Sequence, residues 1–231
     1  MIPRAQHRWR STVAVLTTAL VTMVGTLLVS PTASAHERTP TGTRSLAAVL
    51  AADGHHFDRN RGDYDVTDAA VTAVLTAKPD SAVSVLADGT VPLTAFLPTD
   101  QAFRRLAHDL TGHWYRSEGR VFSVLAGKLG VDTIESVLLY HVVPGATIDY
   151  RTALRSNGAA LATALSGASI TVKVLRAHGH HRHCSWQHRR TLSLVDLDPD
   201  ATNPRVVQRN INRGNLQIAH AINRVLRPVD L

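Results

Sequence analysis

The sequence predicts an α+β fold, with helices in the first half of the chain and β-strands in the second. Apolar residues between Ala70 and Leu75 recur at the spacing of one helix face. Farther along the chain, Ser169–Leu175 and Thr191–Leu197 alternate apolar with polar residues, as half-buried strands do. No segment repeats another, which indicates one module and not a tandem array.

The first predicted elements are two helices separated by a polar loop. Leu46–Ala51 has helical character, and the polar run Asp53–Asp63 indicates a loop. The next helix begins near Thr67, with Asp65 or Thr67 itself as the expected N-cap, because short polar side chains accept hydrogen bonds from the first free backbone N–H groups. Lys78-Pro79-Asp80 ends that helix, since proline cannot continue it.

A strand and two further helices follow. Val91–Leu97 is β-branched and aromatic, which favours a strand. Thr99 or Asp100 is expected to cap a helix that begins at Gln101. Thr133–Tyr140 is predicted to be helical because its apolar residues fall on one face.

The second half of the chain is predicted to be rich in strands. His141–Val143 and Ala160–Thr163 are short candidates, and the two alternating segments named above should pair as a hairpin. Val206–Ile211 and Leu216–Leu226 complete the sheet, with Gly214 at the turn between them.

The N-terminus is typical of a secretory signal peptide. Arg4, Arg8 and Arg10 form a positive region without an acid, and an apolar run over 13–29 follows. Ala33-Ser34-Ala35 has the small-x-small form of a cleavage site, and the apolar run is short for a spanning helix. We therefore predict a signal peptide over 1–35, a flexible lead-in over 36–44 and a single domain over 45–231. The expected product is secreted and extracellular, with no stable membrane span after cleavage.

Composition narrows the class of partner. The formal net charge is +7, but three of the positive charges are leader arginines, and no basic stripe interleaved with aromatic residues is present. Nucleic acid is therefore not an expected partner. The only cysteine is Cys184, so no internal disulfide can form, and stability must come from packing. Cys184 could instead link two chains into a dimer.

Three segments carry a resemblance to a known family. They are TAFLPTDQAF at Thr94–Phe103, LLYHVVPG at Leu138–Gly145 and NLQIAHAINRVLRP at Asn215–Pro228. Together they resemble the two signature blocks and the central Tyr-His segment of the fasciclin (FAS1) domain family, in its secreted single-domain bacterial form. The resemblance implies a β-sandwich wedge with helices packed along one side, and a non-enzymatic role in adhesion or extracellular binding. Its structural motif residues here are Phe96, Pro98, Thr99, Asp100, Phe103 and His220.

The resemblance also implies a binding site at Tyr140 and His141. In fasciclin domains this pair, flanked by branched apolar residues, is associated with adhesion, and Leu139 and Val142 provide such flanks here. The partner would be an extracellular protein or a component of the cell envelope or matrix. Apolar flanks bury as readily as they bind, so the alternative is that both residues pack internally, with their polar tips on backbone partners.

Two segments depart from the family pattern and are expected to be insertions, near 111–130 and 177–190. The second belongs to a His-rich segment over 176–190 whose imidazole and thiol groups suit Zn, Cu or Ni, so a secreted metal-binding protein is the alternative function. Its candidate ligands are His178, His180, His181, His183, Cys184 and His188. Four arginines within the segment oppose a divalent cation, and the other interpretation is a solvated basic hairpin loop that needs no cofactor.

Other motifs match known binding or catalytic patterns only incompletely. Arg61-Gly62-Asp63 spells an integrin-binding tripeptide, which we treat as a chance match. Asp196-x-Asp198-Pro199-Asp200 resembles the start of a calcium loop but lacks the glycine and distal glutamate of an EF-hand, and the series from Asp58 to Asp65 is similarly incomplete. A turn explains the first of them better. Nucleophile elbows, zinc-protease helices and phosphate loops are missing from the sequence, so no enzymatic activity is expected.

Overall fold

Most of the helices precede most of the strands in the structure, a computed structural model that describes residues 42–177 and 189–231. The helices are α1 (Leu46–Leu50), α2 (Asp65–Ala77), α3 (Asp100–Thr111), α4 (Glu118–Tyr140) and α5 (Tyr150–Ala153), with 3₁₀ turns at Ala51–Asp53 and Ala82–Ala87. The strands are β1 (Leu93–Pro98), β2 (Val142–Pro144), β3 (Ala160–Ala162), β4 (Ser169–Ala177), β5 (Arg189–Val195), β6 (Val206–Ile211) and β7 (Gln217–Ile222). The α+β prediction is confirmed. Within the described ranges, no helix is both long and apolar enough to cross a membrane.

The strands form two sheets. One has four strands in the order β2-β1-β7-β6, and the other has three in the order β3-β4-β5. Strands β1 and β7 run parallel, with Leu93 opposite Gln217 and Pro98 opposite Ile222, so segments far apart in the sequence lie side by side. The predicted hairpin is confirmed, because β4 and β5 pair antiparallel as far as Ala177 and Arg189.

The two sheets share one apolar core. Phe96 and Ile222 from the four-stranded sheet belong to the same buried cluster as Ile170 and Leu192 from the three-stranded sheet. Alternate residues of β1, such as Leu97, point to the helices instead. Both faces of β1 are therefore covered, which explains why all six of its residues are buried.

Helices α1 to α4 form a layer on the outer face of the four-stranded sheet. Leu46 of α1 and Val74 of α2 pack on Leu93 of β1. A third cluster joins α2, α3 and α4 through residues such as Phe103 and Leu125. This arrangement places the loop before α2 next to the first turns of α3 and α4.

Helix α4 is longer than the sequence predicted. It begins at Glu118 and not at Thr133, so much of the segment expected to be a polar insertion is helix. Val121 and Leu125 of that segment are buried in the core between helices. Gly130 interrupts the helix at a φ of 72°, a left-handed conformation that glycine adopts without steric cost. That break explains why the helical pattern could be recognised only after it.

Thr99 is the N-cap residue of α3, as expected, although its side chain makes no cap hydrogen bond, whereas the predicted cap of α2 is different in the structure. Tyr64, and not Asp65 or Thr67, is the residue before α2, and it makes no side-chain cap. The cap comes from a distant residue, since Oδ1 of Asp100 accepts a hydrogen bond of 3.0 Å from the N–H of Val66. Asp100 therefore starts helix α3 and also stabilises the first turn of α2.

Candidate functional site

Tyr140 is the last residue of α4 and is fully buried. Its hydroxyl donates a hydrogen bond of 3.0 Å to the carbonyl oxygen of Ser169 in the three-stranded sheet. Burial, together with the charge of Asp196, raises the pKa of Tyr140 to about 12, so its hydroxyl stays protonated. The side chain therefore joins a helix to a sheet inside the protein.

His141 lies next to Tyr140 and is also buried, with 4% of its surface exposed. Its Nδ1 atom lies 2.6 Å from the carbonyl oxygen of Val137, and its Nε2 atom accepts a hydrogen bond of 2.9 Å from the N–H of Leu226. Since a carbonyl accepts and an N–H donates, the ring is neutral with its proton on Nδ1. Burial lowers the pKa of His141 to about 4, although the Val137 carbonyl acts in the opposite direction.

The binding role of Tyr140 and His141 stays a prediction, and these contacts show where the two side chains lie. Both side chains have backbone partners inside the fold, and neither reaches the surface where a partner could touch it. The alternative interpretation, internal packing with satisfied polar tips, agrees with the structure.

The structural motif residues lie in the interior of the fold. Phe96, Pro98, Thr99, Asp100, Phe103 and His220 are all buried. His220 of β7 holds two segments together, because its Nδ1 accepts from the N–H of Asn210 at 3.2 Å and its Nε2 lies 3.0 Å from the carbonyl oxygen of Ile148. Burial lowers the pKa of His220.

The backbone of the Arg61-Gly62-Asp63 tripeptide is hydrogen-bonded to the first turn of helix α3. The carbonyl oxygens of Arg61 and Asp63 accept hydrogen bonds of 3.0 and 3.1 Å from the N–H groups of Gln101 and Asp100. Arg61 and Gly62 are exposed, whereas Asp63 is half-buried. Oδ1 of its carboxyl group is buried, and the carboxyl group lies beside that of Asp100.

Five carboxyl groups converge where the loop before α2 meets α3 and α4. We call Asp58, Asp63, Asp65, Asp100 and Glu118 the acidic cluster. Oxygens of Asp63, Asp65 and Asp100 lie within 4.8 Å of one another, and so do ligand atoms of Asp58, Asp65 and Glu118. Burial and the neighbouring Asp63 raise the pKa of Asp100 to about 9. The sequence pattern from Asp58 to Asp65 suggested part of this cluster, but Asp100 and Glu118 join it only through the fold.

A second group of side chains lies at the connection between α3 and α4, where His113 and Trp114 are exposed and His108 and Tyr115 are half-buried. We call His108, His113, Trp114 and Tyr115 the aromatic cluster. The ring of Trp114 stacks on that of His108 with 4.2 Å between centroids, and His113 meets Tyr115 edge to face at 4.9 Å. Trp114 is 54% exposed, which is unusual for so large an apolar side chain.

The backbone under the aromatic cluster is held in place. Gly112 ends α3 at a φ of 70° and turns the chain away from the helix. The hydroxyl of Thr111 donates to the carbonyl oxygen of Ala107 at 2.6 Å and accepts from the N–H of His113 at 3.2 Å. Nη1 of Arg104 donates to the carbonyl oxygen of Tyr115 at 2.6 Å. Trp114 is thus displayed on an ordered turn.

The candidate metal ligands of the His-rich segment lie outside the described residues. These are His178, His180, His181, His183, Cys184 and His188, and the metal and dimer predictions that depend on them stay predictions. At the described end of the hairpin, Arg176 and Arg190 are opposite each other and both exposed.

The calcium-like series after β5 forms a turn, as expected. Oδ1 of Asp198 accepts hydrogen bonds of 3.1 Å from the N–H groups of Asp200 and Ala201. Oδ2 of Asp198 lies 3.3 Å from Nη1 of Arg227, and Oδ2 of Asp196 accepts from the Arg227 N–H at 3.0 Å. These oxygens are used to fix the C-terminal segment.

Comparisons with known proteins agree with the signature segments. The family model described as the fasciclin domain matches residues 65–228. Among solved structures, the chain is similar to the FAS1 domain pair from the insect cell adhesion molecule fasciclin I, at 14% identity over 68% of this chain and with a TM-score of 0.42. The similarity spans 43% of that chain, less than half of its length. None of the curated proteins matches.

Proposed function

The chain belongs to the fasciclin domain family, and from that premise we propose that it is a secreted, non-enzymatic module that binds an extracellular partner through its aromatic cluster. Fasciclin domains are typically adhesion or extracellular modules. We choose the aromatic cluster as the binding surface because Trp114 is exposed on an ordered turn. Tyr140 and His141, which the family resemblance favoured, are buried.

The aromatic cluster has the composition of a binding surface. Trp, Tyr and Arg are the residue types that contribute most to binding energy at protein interfaces, and exposed Arg116 follows Tyr115 directly. A large aromatic side chain supplies contact area with few rotatable bonds, so little entropy is lost when a partner covers it. The stacking of Trp114 on His108 orders the indole further before any partner arrives.

We expect the partner to be an extracellular protein or a component of the cell envelope or matrix. The measurement is a binding isotherm of fluorescently labelled protein on intact cells of the producing culture. The Trp114→Ala variant should bind about 30-fold more weakly, which is ~2 kcal/mol and typical of a hot-spot residue. Pretreatment of the cells with protease or with periodate then distinguishes a protein partner from a polysaccharide.

A matched control is available in β6. Val207 is 59% exposed, similar to Trp114, and lies in a different element. Val207→Ala should leave binding unchanged within twofold. Equal affinity of the Trp114→Ala variant and the unsubstituted protein would contradict the proposed surface. Absence of saturable binding by the unsubstituted protein would contradict the proposed function itself.

Metal binding through the segment 176–190 is the second proposed function. It rests on the density of imidazole groups in the sequence, and the paired Arg176 and Arg190 act against it by repelling a cation. A calorimetric titration with Zn and Cu tests this function.

A further inference from the structure

The sequence has no acidic residue over 150–195, although the same stretch contains several arginines and one lysine. This stretch includes the three-stranded sheet, so that sheet has positive side chains and no carboxylate of its own. Strand β6, which follows it, likewise contains an arginine and no acid. A protein surface with charges of one sign attracts ligands of the opposite sign.

Two of these arginines are directly opposite each other in the hairpin. Arg176 of β4 pairs with Arg190 of β5, and both residues are exposed. Their side chains project from the same face of the sheet, where like charges at opposite positions are destabilising. Within the described residues, neither guanidinium group makes an ion pair with a carboxylate. An anion between the two side chains would remove this repulsion.

A third arginine reaches the same end of the sheet through Tyr150. Alternate residues of a strand share a face, so Arg190 lies on the face of Leu192, which belongs to the same buried cluster as Tyr150. The hydroxyl of Tyr150 donates to the carbonyl oxygen of Arg190 at 3.4 Å. The guanidinium carbon of Arg209, in β6, lies over the Tyr150 ring at 5.4 Å from the centroid. Tyr150 therefore contacts both Arg190 and Arg209.

The acid next to Tyr150 in the sequence is Asp149, and its carboxylate is already used. Oδ1 of Asp149 accepts a hydrogen bond of 2.7 Å from the N–H of Thr152 and so caps α5. Arg209 has no ion pair in the part of the chain that the structure describes. The N–H of Tyr150 donates to Oδ1 of Asn210 at 2.8 Å, which fixes the position of the ring. The arginines at this end of the sheet thus lack a carboxylate partner.

We propose that Arg176, Arg190 and Arg209 bind a phosphate group, and we call these three residues the arginine site. A guanidinium group presents paired N–H donors that match two oxygens of a phosphate. A phosphate has more acceptor oxygens and more charge than a carboxylate, so it can bond several guanidinium groups at once. The phosphate group belongs either to a soluble phosphate or to a lipid headgroup, since both present the same oxygens.

Calorimetric titration of sodium tripolyphosphate into the purified protein at low salt tests the site, and added NaCl should weaken the binding. Arg190→Gln should weaken it about tenfold, because charge-assisted hydrogen bonds are lost. The Tm of this variant without ligand should be no lower than that of the unsubstituted protein, because one of two opposed charges is gone. Vesicles of phosphatidylcholine with phosphatidylglycerol, compared with phosphatidylcholine alone, then distinguish a lipid headgroup from a soluble phosphate.

The matched control is Lys173→Gln. Lys173 is exposed and lies in β4, but an odd number of residues separates it from Arg176, so it is on the other face of the strand. This variant loses the same charge, and its affinity should stay unchanged within twofold. Three results would each overturn the proposal: no heat with tripolyphosphate at low salt, unchanged affinity in the Arg190→Gln variant, or equal weakening by Lys173→Gln, which would show a response to net charge alone. The arginine site shares no residue with the aromatic cluster, so its failure would leave the proposed binding function untouched.

Discussion

The buried histidine of the central Tyr-His segment should make the stability of the fold depend on pH. His141 donates from Nδ1 to the Val137 carbonyl and accepts at Nε2 from the Leu226 N–H. Protonation would put a second N–H on Nε2, directly against the N–H of Leu226. The folded protein therefore resists protonation of His141, whereas the unfolded chain does not.

The size of the effect follows from the pKa values. Burial lowers the pKa of His141 from 6.5 to about 4 in the folded state. Because each pKa unit corresponds to roughly 1.4 kcal/mol, the contribution is about 3 kcal/mol. Between these two pKa values the unfolded chain binds the proton and the folded protein does not, so stability falls as pH falls. The contribution is complete above pH 6.5 and is lost by about pH 4.

Urea unfolding at a series of pH values, for the protein and for a His141→Gln variant, measures this contribution. The glutamine at position 141 cannot titrate, and it makes poorer hydrogen bonds than the histidine does, so the variant should be less stable than the unsubstituted protein near neutral pH. The difference in unfolding free energy should then shrink by about 3 kcal/mol between pH 7 and pH 4. Subtraction of the two curves removes the titration of groups that both proteins share.

Tyr140→Phe provides the matched control for this experiment. It removes one buried hydrogen bond from the adjacent residue, at a cost of about 1 kcal/mol. With a pKa of about 12, Tyr140 does not titrate between pH 4 and pH 7, so this loss should be the same throughout. A difference between the protein and His141→Gln that stays constant with pH would refute the assignment of His141 as a buried neutral ring.

Two further predictions concern buried hydrogen bonds and metal binding. The buried side-chain amide of Gln217 accepts a hydrogen bond from the N–H of Leu46 and donates to the carbonyl oxygens of Val85 and Asp88, at 2.7 to 2.8 Å. Gln217→Leu should therefore lower the free energy of unfolding, measured in urea, by about 3 kcal/mol, and a loss below about 1 kcal/mol would contradict this role. Replacement of 177–190 by an Asn-Gly turn should abolish submicromolar Zn or Cu binding in calorimetry if the metal function holds, and weak or loop-independent binding would reject it.

Much of the fold could be predicted from local sequence patterns, because those patterns depend only on residues that are close together in the chain. The hairpin of β4 and β5 was predictable because Ile170, Val172 and Leu192 alternate with polar residues, and the structure buries all three. Helix α4 was predicted only after Gly130, because the glycine breaks the helical conformation and the residues before it are more polar.

Contacts between distant segments were not predictable from the sequence alone. The parallel pairing of β1 with β7 and the cap that Asp100 gives to Val66 both depend on the tertiary fold. The candidate binding residues could not be identified from the sequence for the same reason, because their exposure depends on the tertiary fold. Apolar flanks around His141 fit burial and binding equally well, and an exposed Trp114 cannot be distinguished from a buried one by sequence.

The most direct test of the proposed binding surface is collisional quenching of Trp114. Substituting Trp9 and Trp186 with Phe leaves Trp114 as the single indole of the chain. Because Trp114 is 54% exposed, acrylamide should quench its fluorescence efficiently in the free protein. Partner-bearing cell-envelope material should reduce the quenching constant severalfold at saturation. Saturable binding with an unchanged quenching constant would show that the partner docks elsewhere and would contradict the account.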